Sequence, residues 1–221
     1  MNVNDKRNNF VIQMVGANHT GKSTITRRMI SEWRAARPDI IYNTKKSRHE
    51  RKYKVIAFDP KKQFEGLVDQ YIYPDHKWAV YVANEARNSL IILDDYKSLI
   101  PNYIATPGMF ELFAGRWHYN LDFIISCHSP GHIIDVLIDY ITEYYIFHTK
   151  AGEKKFNDKM PNSKMLLDIS KFVNKYVAIY GMGKHPNDPD FRGQGFPYMV
   201  FDTTKAEARP KGYNMKKDFA F

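Results

Sequence analysis

The chain has 221 residues, of which 43% are hydrophobic and 14% aromatic, values that exclude a wholly disordered protein. Its one cysteine, Cys127, excludes an internal disulfide, and no apolar run approaches the roughly 18 residues needed to cross a bilayer. The net charge of +9 suits a polyanionic partner such as nucleic acid, although a basic surface can also serve solubility alone. Because residues 1–7 lack the apolar core of a signal peptide, we expect a soluble, cytoplasmic protein with no membrane partner.

The first predicted elements are a strand, a glycine loop and a helix. Residues 10–15 form a short apolar run typical of a buried strand, and residues 24–34 have helical composition without a breaker. The loop between them matches the pattern G-x-x-x-x-G-K-[ST] at every fixed position, and such loops wrap a phosphate with backbone N–H groups at a helix N-terminus. The predicted ATP- or GTP-binding residues are Gly16, Ala17, Asn18, His19, Thr20, Gly21, Lys22, Ser23 and Thr24.

Two of these residues have predicted chemical roles. Lys22 is expected to reach the β- and γ-phosphates, and the Ser23 hydroxyl to ligate Mg²⁺. The alternative is a chance glycine turn before a helix. The strand and the helix on either side of the loop favour the nucleotide site.

The densest basic run follows, at residues 45–54, and two interpretations of it stay open: an arm that grips phosphates, or a solvated connection. Residues 53–58 then predict a second strand, which ends in Asp59, Pro60 and Lys61. Because the carboxyl ends of strands face the ligand crevice of an open α/β sheet, we expect these three side chains near the site.

The second decisive motif is the apolar run at residues 89–93 followed by Asp94 and Asp95. It predicts a buried parallel strand that delivers two carboxylates to the crevice. Asp94 is expected to hold the hydrated Mg²⁺ opposite Ser23, and Asp95 to polarise the attacking water as a general base. The alternative is that the acids cap a helix N-terminus.

Beyond these acids the sequence predicts a helix at residues 109–115 and a fourth strand at residues 121–128. Arg116 is a candidate for a guanidinium that reaches a neighbouring subunit's γ-phosphate; alternatively it stacks on Trp117 or forms a surface ion pair. His128, with Ser126 as second choice, is a candidate sensor of the γ-phosphate, although a histidine after a strand is often structural.

The remaining pattern completes an α/β protein with a mostly parallel sheet flanked by helices on both faces. We expect a helix at residues 130–140, a strand at 141–148, an amphipathic helix at 163–173 and a late strand at 197–202. These elements predict one domain over residues 1–202. Residues 203–221 are predicted to be a basic C-terminal tail that is partly disordered.

The order of these motifs resembles the FtsK–HerA superfamily of P-loop ATPases over about residues 10–150. Within it, residues 115–150 look like viral genome-packaging ATPases and the zonula-occludens-toxin-like phage assembly ATPases. The resemblance implies an additional-strand, catalytic-acid (RecA-like) core with an extra strand between the phosphate-loop strand and the acidic strand. Asp95 stands where the family usually has Glu, and His128 where it usually has Gln.

Members of this superfamily form rings, usually hexamers, that pump DNA with ATP hydrolysis. The resemblance therefore implies an ATPase that uses ATP and Mg²⁺, with Lys22, Asp95, Arg116 and His128 catalytic and with Ser23 and Asp94 on the metal. The toxin-like ATPases usually carry a membrane segment, so its absence here favours packaging of double-stranded DNA into a preformed capsid. That function implies a capsid portal or vertex protein as partner, and a location in the host cytoplasm or on the virion.

Three alternatives stay open. The loop at residues 16–24 also resembles those of nucleotide-type small-molecule kinases, which need an arginine-bearing lid that is not evident in this sequence. A phage assembly or export ATPase is the second alternative. The third is a virion protein that binds nucleotide as a structural ligand without turnover.

Overall fold

A computed structural model describes residues 9–37, 40–43, 48–100, 105–150, 156, 160, 162–181 and 197–211. None of the helices within these ranges has the length and apolar character needed to cross a membrane. The strands are β1 (Val11–Val15), β2 (Ile40–Asn43), β3 (Arg48–Arg51), β4 (Lys54–Phe58), β5 (Gln70–Tyr71), β6 (Ser89–Leu93), β7 (Leu121–Cys127), β8 (Glu143–Phe147), β9 (Tyr198–Asp202) and β10 (Glu207–Lys211). The α-helices are α1 (Lys22–Ala35), α2 (Trp78–Glu85), α3 (Met109–Ala114), α4 (Arg116–Tyr119), α5 (Asp135–Ile138) and α6 (Ser163–Tyr180).

Eight of the strands form one sheet in the order β10-β9-β8-β1-β7-β6-β4-β5. Strand β8 runs parallel to β1, β6 runs parallel to both β4 and β7, and β9 is antiparallel to β8 and β10. Strand β7 stands between β1 and β6 in this order, which is the additional strand expected of the class. The predicted α/β fold, a mostly parallel sheet with flanking helices, is confirmed.

The chain divides into two compact units. One comprises Met1–Val11 and Ser23–Ile125 and contains β4, β6, most of β7 and helices α2 to α4. The other comprises Ile12–Lys22 and Ser126–Phe221 and contains most of β1, the phosphate loop, β8 to β10 and α6. The single domain expected over residues 1–202 stays a prediction.

The strands expected from apolar runs form because both of their faces are covered. Every residue of β1, β6, β7 and β8 is buried. The sequence of a parallel strand that is buried on both faces is a nearly continuous apolar run, not an alternation of apolar and polar residues. The prediction of these four strands from their apolar runs is confirmed.

The helix expected at residues 130–140 is wrong in its middle. A short 3₁₀ turn spans Pro130–His132 and α5 begins only at Asp135. Ile133 and Ile134 between them are extended, with ψ angles of 126° and 144°, and both side chains are buried. Burial of these two neighbouring side chains takes precedence over continuous helical hydrogen bonding.

The basic tail expected from residue 203 is also partly wrong, because the sheet extends to Lys211. The Asp202 carboxylate Oδ1 accepts hydrogen bonds from the backbone N of Thr204 (3.0 Å) and Lys205 (3.3 Å) and closes the turn. Strand β10 then pairs antiparallel with β9. A short polar turn before an edge strand has the same composition as the start of a tail. Residues 212–221 lie outside the described ranges.

Part of the basic run is a strand. Strand β3 pairs antiparallel with β2 in a separate two-stranded sheet. Tyr53, at the end of this run, meets the edge of the Trp33 ring, with 6.2 Å between the ring centroids. The Lys52 Nζ lies 5.4 Å from the Tyr53 ring. The role of this run stays a prediction, and residues 45–47 lie outside the part of the chain that the structure describes.

The buried carboxylate of Asp122, on β7, joins the two residues before β1 to the C-terminal end of α1. Only 2% of Asp122 is exposed. Its Oδ1 accepts from the backbone N of Asn9 and of Phe10 (3.1 Å), and its Oδ2 accepts from the Trp33 indole (2.7 Å) and from Arg37 (3.4 Å). Burial raises the pKa of Asp122, and these four partners oppose that rise by stabilising the charged form.

We predict that Asp122→Ala lowers the free energy of unfolding by about 3–5 kcal/mol, because the substitution leaves several buried donors without their acceptor. Urea unfolding followed by tryptophan fluorescence measures the change. The matched control is Asp139→Ala, which removes an exposed carboxylate and should change stability by less than about 0.5 kcal/mol. Equal effects of the two substitutions would contradict the role given to Asp122.

The raised pKa of Asp122 also predicts a pH dependence of stability. The folded chain binds a proton at Asp122 more tightly than the unfolded chain does. Protonation of Asp122 therefore stabilises the folded chain. This stabilisation is fully present below the ordinary pKa of 3.8 and is lost as pH rises through the pKa of the folded state. The free energy of unfolding of the wild type, relative to Asp122→Asn, should therefore fall over that window. Parallel urea titrations between pH 3.5 and pH 7 measure this difference, and a difference that rises with pH would contradict the prediction.

Candidate nucleotide-binding site

The phosphate loop begins at a backbone position fixed by two hydrogen bonds. Gly16 N donates to the Cys127 carbonyl (3.1 Å), and Ala17 N donates to the His148 carbonyl (2.8 Å). Both acceptors lie at the carboxyl ends of strands, β7 and β8 respectively. The loop is therefore attached to the edge of the sheet where ligands of open α/β folds bind, and His128 is the next residue after one of its two attachment points.

Gly16 has no room for a side chain. A Cβ placed on Gly16 would lie 2.5 Å from the Phe147 Cβ and 2.9 Å from the Thr20 Oγ1. Phe147 is fully buried and cannot move aside easily. Gly21, the second fixed glycine of the motif, has a φ of +93°, a conformation that residues with a Cβ rarely adopt. The two fixed glycines of the motif are therefore required for different reasons: Gly16 for lack of space and Gly21 for its backbone angle.

The Lys22 ammonium is held over its own loop. Its Nζ donates to the carbonyls of Gly16 (2.6 Å) and Ala17 (2.8 Å), and the Thr20 hydroxyl also donates to the Ala17 carbonyl (2.9 Å). Lys22 is also the first residue of α1, whose first turn contains no acidic residue. A buried ammonium and an uncompensated helix N-terminus at one point are suited to an anion such as phosphate.

The other predicted loop residues differ in exposure. Asn18 and His19 are exposed at the loop tip, where His19 has a φ of +61°. Ser23 and Thr24 are half-buried in the first turn of α1. The Ser23 hydroxyl thus directly follows the lysine that would contact a phosphate, the position that the motif assigns to a metal ligand.

Asp94 follows β6 as predicted, and both its backbone and its side chain form hydrogen bonds. Its backbone N donates to the Phe58 carbonyl (2.9 Å), and its Oδ2 accepts from the Gln63 amide Nε2 (2.9 Å). Only 7% of Asp94 is exposed. Asp95 has left-handed backbone angles (φ 46°, ψ 52°) and precedes a 3₁₀ turn over Tyr96–Ser98 without a capping hydrogen bond from its side chain. Asp95 therefore occupies the N-cap position of this turn, but its side chain does not cap the turn with a hydrogen bond.

Two residues around Asp94 received no predicted chemical role. Asp59, expected only to lie near the site, is 5% exposed, and its Oδ2 accepts from the Phe64 backbone N (2.7 Å). Gln63, which contacts Asp94, was missed, because a glutamine in an irregular stretch carries no pattern. The other two residues expected near the site, Pro60 and Lys61, are both exposed.

The Arg116 guanidinium donates hydrogen bonds within its own chain. It is 8% exposed; its Nε donates to the Asn9 carbonyl (3.1 Å) and its Nη1 to the Phe113 carbonyl (2.8 Å). The guanidinium carbon lies 5.1 Å from the Trp117 ring centroid, which is the stacked alternative considered from sequence. Contact with a neighbouring subunit would require the guanidinium to leave these bonds, and the role in trans stays a prediction.

The two sensor candidates differ in exposure. Ser126 is buried within β7, whereas His128 is half-buried just beyond it. Cys127 between them accepts a hydrogen bond from the Gln13 amide (3.4 Å, to Sγ). His128 is thus better exposed to a ligand of the adjacent loop than Ser126.

The side chains at this site suit Mg²⁺, which is bound partly by water and phosphate, better than a metal whose ligands all come from the protein. Within the ranges that the structure describes, no group of three or more His, Cys, Asp or Glu side chains could hold a metal ion. Mg²⁺ typically keeps several waters and binds to one or two protein oxygens together with phosphates. A hydroxyl at Ser23 and a carboxylate at Asp94 are hard oxygen donors of that kind.

Comparison with solved structures identifies the fold. The chain is similar to the genome-packaging NTPase B204 of Sulfolobus turreted icosahedral virus 2 in complex with AMPPCP, with a TM-score of 0.59, 14% identity, and 93% of this chain and 98% of that chain covered. B204 of Sulfolobus turreted icosahedral virus, described as a DNA-packaging ATPase, gives a TM-score of 0.57 at 14% identity over 97% of this chain and 100% of that chain.

A third similar structure is the cytoplasmic domain of the type VII secretion ATPase EccC of Thermomonospora curvata, with a TM-score of 0.53, 10% identity, and 92% of this chain and 24% of that chain covered. No protein-family model and no curated protein sequence matches the chain. At these identities the likeness is one of fold, and the fold is that of a P-loop NTPase.

Proposed function

We propose that this chain is an Mg²⁺-dependent ATPase that drives DNA translocation, as the packaging motor that moves double-stranded DNA into a viral capsid. The observation that carries the first part is the phosphate loop, where Lys22 is bonded to the carbonyls of Gly16 and Ala17 at the start of α1. A triphosphate would take over the hydrogen bonds of the ammonium and would add those of the loop N–H groups.

The metal would be shared between the nucleotide and the chain. In this proposal Ser23 and Asp94 bind Mg²⁺ and its waters, and the ion would offset the negative charge of the phosphates during transfer. Asp95 orients the attacking water and accepts its proton. His128 contacts the γ-phosphate or that water, and Arg116 of each subunit serves the site of its neighbour.

The second part of the proposal, DNA translocation, has three supports. The similar structures include proteins described as packaging NTPases. The order of the motifs at Lys22, Asp94 and His128 is that of the superfamily. The net charge of +9 favours a polyanion, since release of counterions from phosphates strengthens binding. We propose a homo-oligomeric ring, a hexamer, around the duplex, docked on a capsid portal or vertex protein.

We predict that Lys22→Ala lowers ATP turnover at least 100-fold, because the variant loses the ammonium that binds the developing charge on the transferred phosphoryl group. Duplex DNA should stimulate turnover by the wild type and not by the variant. Phosphate release with and without duplex DNA, together with the mass of the assembled species, measures both effects. Lys175→Ala on α6 removes an equal charge from an exposed position and should behave as the wild type.

The outcomes separate the alternatives. Turnover without DNA stimulation in an assembled ring would contradict translocation and favour an assembly or export ATPase. Nucleotide binding without turnover, with ring and DNA present, would favour a structural ligand. Phosphate transfer to a nucleoside monophosphate would establish a kinase instead.

We further predict that Gly16→Ala weakens ATP binding at least 10-fold, because the added methyl group would lie 2.5 Å from the Phe147 Cβ and would displace the loop. Titration with a fluorescent ATP analogue measures the affinity. The matched control is Gly181→Ala, which is strained by a φ of +83° at a position where no atom of the described residues lies within 4 Å of the added methyl. This control should lose about 1 kcal/mol of stability but keep its affinity for ATP. Equal loss of affinity in both variants would contradict the steric argument.

A further inference from the structure

The Asp94 carboxylate is held by Gln63, a residue 31 positions earlier in the chain. The Gln63 Nε2 donates to the Asp94 Oδ2 at 2.9 Å, and the contact is partly buried. The terminal torsion of an aspartate has a broad energy well, so a carboxylate turns easily unless a partner fixes it. A hydrogen bond from the Gln63 amide restrains that torsion.

The turn that presents Gln63 is itself fixed on both sides. On one side, the Lys62 backbone N donates to the Asp59 carbonyl (3.1 Å), and Lys62 has a φ of +51°. On the other side, the Phe64 backbone N donates to the Asp59 Oδ2 (2.7 Å), and the Phe64 ring is fully buried. An uncommon backbone angle retained between two anchors is a feature that clusters at functional sites.

The same strand ends carry Asp59 and Asp94. Strands β4 and β6 are parallel with Phe58 opposite Leu93, and the Asp94 backbone N donates to the Phe58 carbonyl. The register therefore fixes the backbone at both residues, and the Gln63 side chain spans from the β4 turn to the β6 acid.

Asp59 adds an independent sign of cation chemistry. Its buried Oδ1 accepts no hydrogen bond from any residue that the structure describes. A buried carboxylate oxygen without a donor is costly, and such groups commonly face an ion or a water molecule. Two buried acids at adjacent strand ends, one with such an oxygen, favour a hydrated cation at this edge.

We propose that Gln63 is a positioning residue for the metal-binding carboxylate, and that the turn starting at Asp59 exists to present it. This inference rests on the proposed Mg²⁺-nucleotide function. Hydrogen bonds to the side chains that ligate a metal commonly change metal affinity 10- to 100-fold when they are lost. Gln63 would then set how much Mg²⁺ the site requires, without contacting the nucleotide.

The test is the Mg²⁺ concentration that half-saturates the binding of a fluorescent ATP analogue to the full chain. Gln63→Ala should raise that concentration about 10-fold or more, and should leave the affinity for the analogue in EDTA within about twofold of the wild type. Gln63→Asn keeps the amide but shortens its reach by one methylene, so it should show the same defect. Gln63→Glu, which places an acid against Asp94, should show a larger one.

The matched control is Gln70→Ala, which removes the glutamine amide that donates to the Tyr81 hydroxyl at 2.9 Å on the surface. It should leave the Mg²⁺ dependence unchanged. An unchanged Mg²⁺ requirement in Gln63→Ala, or equal loss of affinity with and without Mg²⁺, would overturn the role of Gln63 while the proposed function stands. Failure of the wild-type chain to bind the analogue at any Mg²⁺ concentration would overturn both.

Discussion

The candidate site depends on the close approach of backbone to backbone at Gly16. Gly16 and Ala17 donate to carbonyls at the ends of β7 and β8, and a Cβ at Gly16 would overlap Phe147. Only a residue without a side chain therefore fits at this position. In the proposed function, the remaining N–H groups of the loop and the start of α1 would bind the phosphates at little further entropic cost, because the loop is already fixed.

A second constraint acts on the acids. A carboxylate that binds a metal must be buried enough to be oriented and still keep its charge, and these two demands conflict because burial disfavours the charged form. In the proposed site, the neutral Gln63 amide donates a hydrogen bond to the Asp94 Oδ2 and orients that carboxylate. Asp122 shows the contrasting solution, in which a buried acid with four donors serves packing.

The proposed role of Arg116 depends on assembly with a neighbouring subunit. In the single chain its guanidinium binds two of the chain's own carbonyls and lies over Trp117, whose ring is 59% exposed. Those bonds join Arg116, the first residue of α4, to Asn9, which lies two residues before β1, and to Phe113 in α3. The same bonds would have to be exchanged for phosphate if Arg116 acts on a neighbouring subunit, so ring formation and nucleotide binding would be coupled at this residue.

The sequence by itself determined the buried parallel strands, the phosphate loop and the acid after β6, because these features are encoded in short runs: continuous apolar stretches, fixed glycines and a strand-end doublet. It misplaced the middle of the 130–140 helix and the end of the sheet at residue 202, where burial of Ile133 and Ile134 and a turn closed by Asp202 prevail over local pattern. Only the tertiary structure decided which distant side chains meet, such as Gln63 with Asp94. The physical reason is that such contacts follow from strand register and packing, and neither of these produces a periodic pattern in the sequence.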